Sequence, residues 1–298
     1  MVKLIQNMHP IRTLTNKEIP APLLEIPQPP KTLYLQGILP ELSQHRFLTI
    51  VGSRKYSAYG REVCEKLISG LAGYPIVIVS GLAMGIDTIA HQSAIKAGLI
   101  TLAFPGSGLD SQVLYPSINR QLAGKILEAG GALISESEPK ERATIWSFPK
   151  RNRLMAGLSQ ATLIIEATEK SGTLITARLA LDYNRDVLVV PGSIFSPSSI
   201  GTNKLIKLGA TPILTSDDIL EALHLDPETP NEESQQKLFA ELSLPEKKII
   251  ELLKTEPLAR DEVIRQTKLS ISEGNSLLMI LEIKGLIKES GGEIHLNN

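Results

Sequence analysis

The chain has 298 residues, 42% of them hydrophobic, enough to bury one large core and a second small one. Its 31 basic and 32 acidic residues leave a net charge of −1, which excludes a globally basic coat and confines any polyanion site to a local patch. One cysteine excludes an intrachain disulfide and a Cys-rich zinc site, and no run reaches the ~18 apolar residues of a membrane span, so a soluble protein is expected.

Residues 1–45 are rich in proline and read as an extended N-terminal arm, with a short strand at Thr32–Gln36, rather than a domain with its own core. From Phe47 the pattern changes. Short β-branched runs at Phe47–Gly52, Ile76–Ser80, Ile100–Phe104, Ala132–Ser135, Thr162–Ala167, Val187–Val190 and Thr211–Leu214 predict strands. Between them Tyr59–Leu71, Ile86–Ala97, Ile118–Ala129, Leu154–Ser159, Leu174–Asp182 and Asn203–Leu208 predict helices. The apolar runs are continuous rather than alternating, as strands covered on both faces require. The expected fold is α/β: a doubly wound, mostly parallel Rossmann-like sheet over residues 46–223.

A polar linker follows over residues 224–240. In residues 241–298 three short helices (Pro245–Lys254, Arg260–Thr267, Ser272–Ile283) precede two strands (Leu286–Glu289, Ile294–Leu296) joined by a Gly291-Gly292 turn, the pattern of a small winged-helix domain. Its third helix carries almost no positive charge. Reading a duplex groove needs cations there, so this unit is expected to contact protein instead.

Ligands of open α/β sheets bind beyond the carboxyl ends of the strands, and the loops predicted there are rich in glycine. They are Gly52-Ser53-Arg54, Ser80-Gly81 with Gly85, Gly106-Ser107-Gly108, Ser171-Gly172 and Gly192-Ser193. Glycines let backbone N–H groups approach a phosphate, although tight turns demand glycine for their own reasons. Arg54 can grip a phosphate with two parallel hydrogen bonds, or serve a structural ion pair.

The stretch Trp146-Ser147-Phe148-Pro149-Lys150-Arg151-Asn152-Arg153 places three cations and two rings within eight residues. It suits a single strand, whose phosphates seek cations and whose bases seek rings. A solvated helix start with a core Phe and Trp fits as well. Asp87 and His91, four apart on one helix, read either as an acid/base pair or as structural residues. No dinucleotide fingerprint, P-loop or serine elbow occurs, so no cofactor, metal or catalytic residue is expected.

Taken in order, Gly52-Ser53-Arg54, Ser80-Gly81-Leu82-Ala83, Gly85-Ile86-Asp87, Ala90-His91, Gly106-Ser107-Gly108-Leu109-Asp110, Tyr115-Pro116, Phe148-Pro149, Arg151-Asn152-Arg153, Gly157-Leu158, Glu166-Ala167, Ser171-Gly172, Pro191-Gly192 and Gly201-Thr202-Asn203 through Gly209-Ala210 resemble the DNA-processing protein A family (DprA, also called Smf) from about residue 19 to 220. The resemblance implies a cytoplasmic bacterial homodimer that binds single-stranded DNA. It further implies that incoming strands are protected and a RecA-type recombinase loaded on them during natural transformation. Carried over by motif, the strand-binding residues are Gly52, Ser53, Arg54, Gly106, Ser107, Gly108, Phe148, Arg151, Asn152, Arg153, Ser171 and Gly172. Lys150 and Lys170 join them on charge and location. Many members begin with a sterile-alpha-motif-like helical domain, for which the proline-rich start is too short. The alternative is a nucleotide phosphoribohydrolase of the lysine-decarboxylase-like Rossmann group, whose phosphate loop Ser171-Gly172-Thr173 loosely resembles. Thr176 stands where that group carries its glutamate.

Overall fold

The computed structural model describes residues 9–15, 17–227, 243–253, 257–267, 269–283, 286–290 and 292–296. The chain divides into two compact units, Met1–Asn231 and Glu232–Asn298. Most of the expected linker and Gly291 of the expected turn lie outside the described residues.

The first unit is built on a nine-stranded sheet. Its strands are β1 (Arg12–Leu14), β2 (Leu33–Gly37), β3 (Arg46–Val51), β4 (Ile76–Ser80), β5 (Ile100–Ala103), β6 (Ala132–Ser135), β7 (Ala161–Ile164), β8 (Asp186–Val189) and β9 (Thr211–Pro212). They lie in the order β1-β2-β6-β5-β4-β3-β7-β8-β9. From β6 to β9 every pairing is parallel, whereas β2 runs antiparallel to both β1 and β6. The helices of this unit are α1 (Ala21–Leu24), α2 (Ala58–Ser69), α3 (Ile86–Lys96), α4 (Arg120–Glu128), α5 (Ser147–Leu158), α6 (Thr173–Asp182), α7 (Ile200–Lys207) and α8 (Ser216–Ala222).

The uninterrupted apolar run of β3 has the cause expected of it. Phe47 and Val51 enter one hydrophobic layer, while Leu48 and Ile50 enter the layer on the opposite face. Thr49 is also fully buried, and its hydroxyl donates to the Met155 carbonyl of α5 at 2.9 Å. Among the parallel strands chain order advances outward from β3 in both directions, so the crevice of the fold lies past the carboxyl ends of β3, β4 and β7.

One expectation is extended and another changes. The proline-rich stretch, read as an extended arm with one short strand, supplies two strands and places Leu14, Ile19, Leu23, Ile26, Leu33 and Leu35 in the same layer as Leu154, Met155 and Leu158 of α5. Buried side chains of that size contribute about 1.5–3 kcal/mol each, which outweighs the freedom of a dangling segment. In addition, α5 begins at Ser147 rather than Leu154. Pro149 is tolerated because it lies in the first turn, where backbone N–H groups have no helical acceptor. From Phe148 to Arg153 the cluster is therefore helix, with Trp146 at its N-cap.

In the second unit α9 (Leu244–Leu253), α10 (Arg260–Thr267) and α11 (Ile271–Ile283) pack around Ile249, Val263, Leu278 and Leu281. The added strand β10 (Leu258–Ala259) pairs with β12 (Glu293–Leu296), which also pairs with β11 (Ile287–Ser290), giving a three-stranded sheet where two strands were expected. Helix α11 contains neither lysine nor arginine. Arg260 is tied to Glu289 at 2.5 Å and to Asn275 at 3.2 Å.

Candidate nucleic-acid interface

Strand β3 delivers Gly52-Ser53-Arg54 to the centre of the crevice. The Ser53 hydroxyl is engaged within its own turn, accepting from the Lys55 N–H at 3.0 Å. Arg54 is exposed, and its guanidinium lies 5.3 Å from the centre of the Phe148 ring. That is cation–π distance, and it fixes the group without neutralising it. Phe148 in turn faces Tyr115, with ring centres 5.7 Å apart and planes inclined by 55°. Together Arg54, Gly81, Met84, Tyr115, Phe148 and Arg151 line a small cleft.

The glycines of these loops answer to packing. A Cβ on Gly106 would come within 2.6 Å of the Phe148 ring, so only glycine lets that ring pack this closely against the β5 loop. Gly85 has φ +91°, and a Cβ there would stand 2.6 Å from the Arg54 Cα. Gly172, by contrast, has nothing within 4 Å of where its Cβ would be.

Arg151 is not a groove cation. It is 8% exposed, with Nη1 donating to the Phe104 carbonyl and Nε without a hydrogen-bond partner. Burial pulls its pKa down to about 10, an effect the nearby Asp87 opposes. Asp87 accepts from the N–H groups of Gly81 at 3.1 Å and Ala83 at 3.3 Å, thereby fixing the loop after β4. Burial pushes the Asp87 carboxyl up, against the pull of Arg151 and those two N–H groups. His91 is fully buried and its Nδ1 pairs with the Thr101 hydroxyl at 2.7 Å. Burial drives its pKa down to about 3, so the ring is neutral.

Arg153 is likewise turned inward. Its Nη1 donates to the Gln28 carbonyl and its Nη2 to Glu136, each at 2.6 Å. It clamps the proline-rich stretch onto α5, a position with no free face for a phosphate. Lys150 is more exposed and reaches the same Glu136 carboxylate at 3.4 Å. Asn152 is partly exposed between the two arginines.

Ser107, placed among the strand-binding residues by motif, is fully buried; its hydroxyl accepts from the Tyr115 N–H at 3.0 Å and donates to the Gly108 carbonyl. Gly106 and Gly108 are buried with it. Lys170 and Gly172 are exposed and Ser171 partly so, in the loop after β7. That loop meets the first one where the Thr173 hydroxyl donates to the Gly52 carbonyl at 3.2 Å. The crevice thus brings together Gly52, Ser53, Arg54, Phe148 and the Ser171-Gly172 turn, while Arg153 and Ser107 belong to the scaffold.

Sequence reasoning missed the counter-ions. Glu136 serves Arg153 and Lys150, and the signal available was that arginines beside apolar helix positions need a carboxylate. Glu166 accepts from Ser57 N–H at 2.9 Å, the Ser57 hydroxyl at 2.6 Å and the Ser198 hydroxyl at 2.9 Å, tying three loops of the crevice together. Among the described residues, no three His, Cys, Asp or Glu side chains come together in a way that could hold a metal ion. Nor is any helix there long and apolar enough to cross a membrane.

Residues 10–224 match the family model described as DNA recombination-mediator protein A, and residues 233–293 match the DprA winged helix domain. The DNA processing protein DprA of Bacillus subtilis is 40% identical over 210 residues, 70% of this chain and 70% of that protein. Protein Smf of Escherichia coli is 35% identical over 283 residues, 93% of this chain and 75% of its own. A solved structure of DNA processing protein A from Helicobacter pylori, described for its single-stranded DNA binding mode, has a TM-score of 0.65 at 32% identity. It covers 72% of this chain and 96% of that one.

Proposed function

Because the chain belongs to the DNA recombination-mediator protein A family, we propose that it binds single-stranded DNA along the carboxyl rim of its sheet. The observation that carries this is Arg54: an exposed guanidinium, held on an aromatic face, at the point where the sheet order reverses. A phosphate there meets an exposed guanidinium, and an unpaired base can lie against the Phe148–Tyr115 pair at the mouth of the cleft. Lys150, Lys170 and the Ser171-Gly172 turn extend the track, with Asn152 at its edge. Arg151, buried beneath the cleft, holds the loop after β5 in place through the Phe104 carbonyl.

The family and the arrangement of the crevice support the further reading of a cytoplasmic recombination mediator. It protects incoming strands in natural transformation, loads a RecA-type recombinase on them and works as a homodimer. The winged helix, whose α11 lacks cations, is assigned to protein contact. We read a binding protein rather than an enzyme. Asp87 and His91 are sealed in the core, and Thr176 holds the place of the phosphoribohydrolase glutamate.

Fluorescence anisotropy of a labelled single strand over a salt series tests the site. Affinity is expected to fall with salt by a log–log slope of roughly −0.7 per phosphate neutralised. Arg54→Ala is expected to weaken binding about tenfold and flatten that slope, a loss within the range of one base–ring or phosphate contact. A folded Arg54→Ala protein that binds as tightly as the parent, with the same slope, removes the site.

A further inference from the structure

The N-terminal turn of α5 carries two aromatic rings, and the cleft uses one. Phe148 is packed between Gly106, Tyr115 and Arg54. Trp146, the N-cap residue, is 77% exposed, and Ile145 beside it is 76% exposed. Trp146 already has helical backbone angles, and residues two apart on a helix are about 200° around its axis. The Cα–Cβ bonds of the two residues therefore leave the turn on roughly opposite sides.

Its presentation is ordered. The Ser147 hydroxyl donates to the Thr144 carbonyl at 2.8 Å, and the Thr144 N–H reaches back to that hydroxyl at 3.1 Å, closing a turn around Ile145 and Trp146. A cation stands within one helical turn of the ring. Lys150 lies one helical turn on, and the Glu136 carboxylate it approaches is shared with Arg153, one negative group against two positive ones. On the approach segment Lys140 and Arg142 are exposed, as are Glu138 and Glu141. Glu141 accepts from the Glu138 N–H at 3.1 Å within its own turn.

We propose that Trp146 is a second base-stacking platform for the single strand, continuing the track over the N-terminal turn of α5 past the Arg54–Phe148 cleft. This rests on the DNA-binding reading above and adds a subsite to it. A broad ring left in water gains by covering its face, and a base offers that face whatever the sequence. Lys150, one helical turn on, and Arg142, on the segment leading into the turn, supply the phosphate contacts such a base brings with it.

Trp146 is the sole tryptophan of the chain, so intrinsic emission reports from this position alone. Full-length protein is titrated with fluorescein-labelled oligothymidylates of increasing length for anisotropy, and with unlabelled ones for tryptophan emission. The shortest strands that bind are expected to fill the cleft and leave emission unchanged; longer strands are expected to quench it in step with binding. Trp146→Ala is expected to weaken long strands about five- to tenfold and short ones not at all, with Trp146→Phe restoring most of the loss. Binding at every length with unchanged emission, or Trp146→Ala matching the parent throughout, overturns the platform and leaves the cleft standing. Emission that instead follows protein concentration without DNA, together with a dilution-dependent sedimentation shift, assigns the ring to contact between two copies and also overturns it. No strand binding at all removes the platform and the reading beneath it together.

Discussion

Arg54 at the sheet rim and the Arg151–Arg153 pair in α5 are the same chemistry in two settings. Arg54 has a ring beneath it and solvent around it. Arg151 and Arg153 are 8% and 7% exposed and held by Phe104, Gln28 and Glu136. A guanidinium in water keeps its charge for a ligand. One under the sheet rim must be matched internally, and it then holds the fold rather than the ligand. Mutation should therefore separate the two, with stability responding in one region and affinity in the other.

The largest effect is expected at Asp87, whose carboxylate fixes two loop N–H groups and faces buried Arg151. Asp87→Ala leaves that charge without compensation and should lower unfolding free energy by about 3–5 kcal/mol in urea titration. A loss below about 1 kcal/mol would mean that Arg151 is not a buried charge in need of a partner.

Acid comes next. Folded His91 titrates at about 3 because it is buried, whereas the unfolded side chain takes a proton near its ordinary 6.5. The unfolded state then binds the extra proton, so this residue favours folding fully above about pH 6.5. That contribution falls by about 1.4 kcal/mol per pH unit as pH drops from there towards 3. His91→Gln should remove this part of the acid slope, visible as the difference between the two stability–pH curves. Parallel curves would contradict a neutral buried ring.

Arg153→Met should destabilise by about 2–3 kcal/mol, since it strands the Gln28 carbonyl and Glu136. Limited proteolysis should then cut the proline-rich stretch first, while the salt slope of strand binding stays that of the parent. The smallest stability change is expected for Arg54→Ala, within about 0.5 kcal/mol, and it is paired with the reduced slope described above. Should Arg153→Met change the slope while Arg54→Ala does not, the assignment of the two regions is reversed.

Much of this was legible beforehand. Continuous apolar runs separated by helical ones required a sheet covered on both faces, and Phe47 to Val51 divide between two layers accordingly. The ordered loop motifs pointed to the family that residues 10–224 match. Glycine at 81, 85 and 106 marked tight places, though not which neighbour filled them; a Cβ on Gly81 would overlap Arg151 itself. The early start of α5 was hidden by Pro149, which is a breaker in a helix interior and harmless in a first turn.

Period, composition and motif order are local properties, so the amino-acid sequence alone determined the layered α/β plan, the presence of a second small unit and the loops that face the crevice. The tertiary structure decided which cations remain available. Arg153 is claimed by a carbonyl 125 residues away and Arg151 by one 47 residues away. The apolar helix positions beside Arg153 hinted at burial, but the groups that claim the two arginines lie far off in the chain. Burial is a property of what folds over a side chain, and for these three arginines it separates a structural clamp from a free charge.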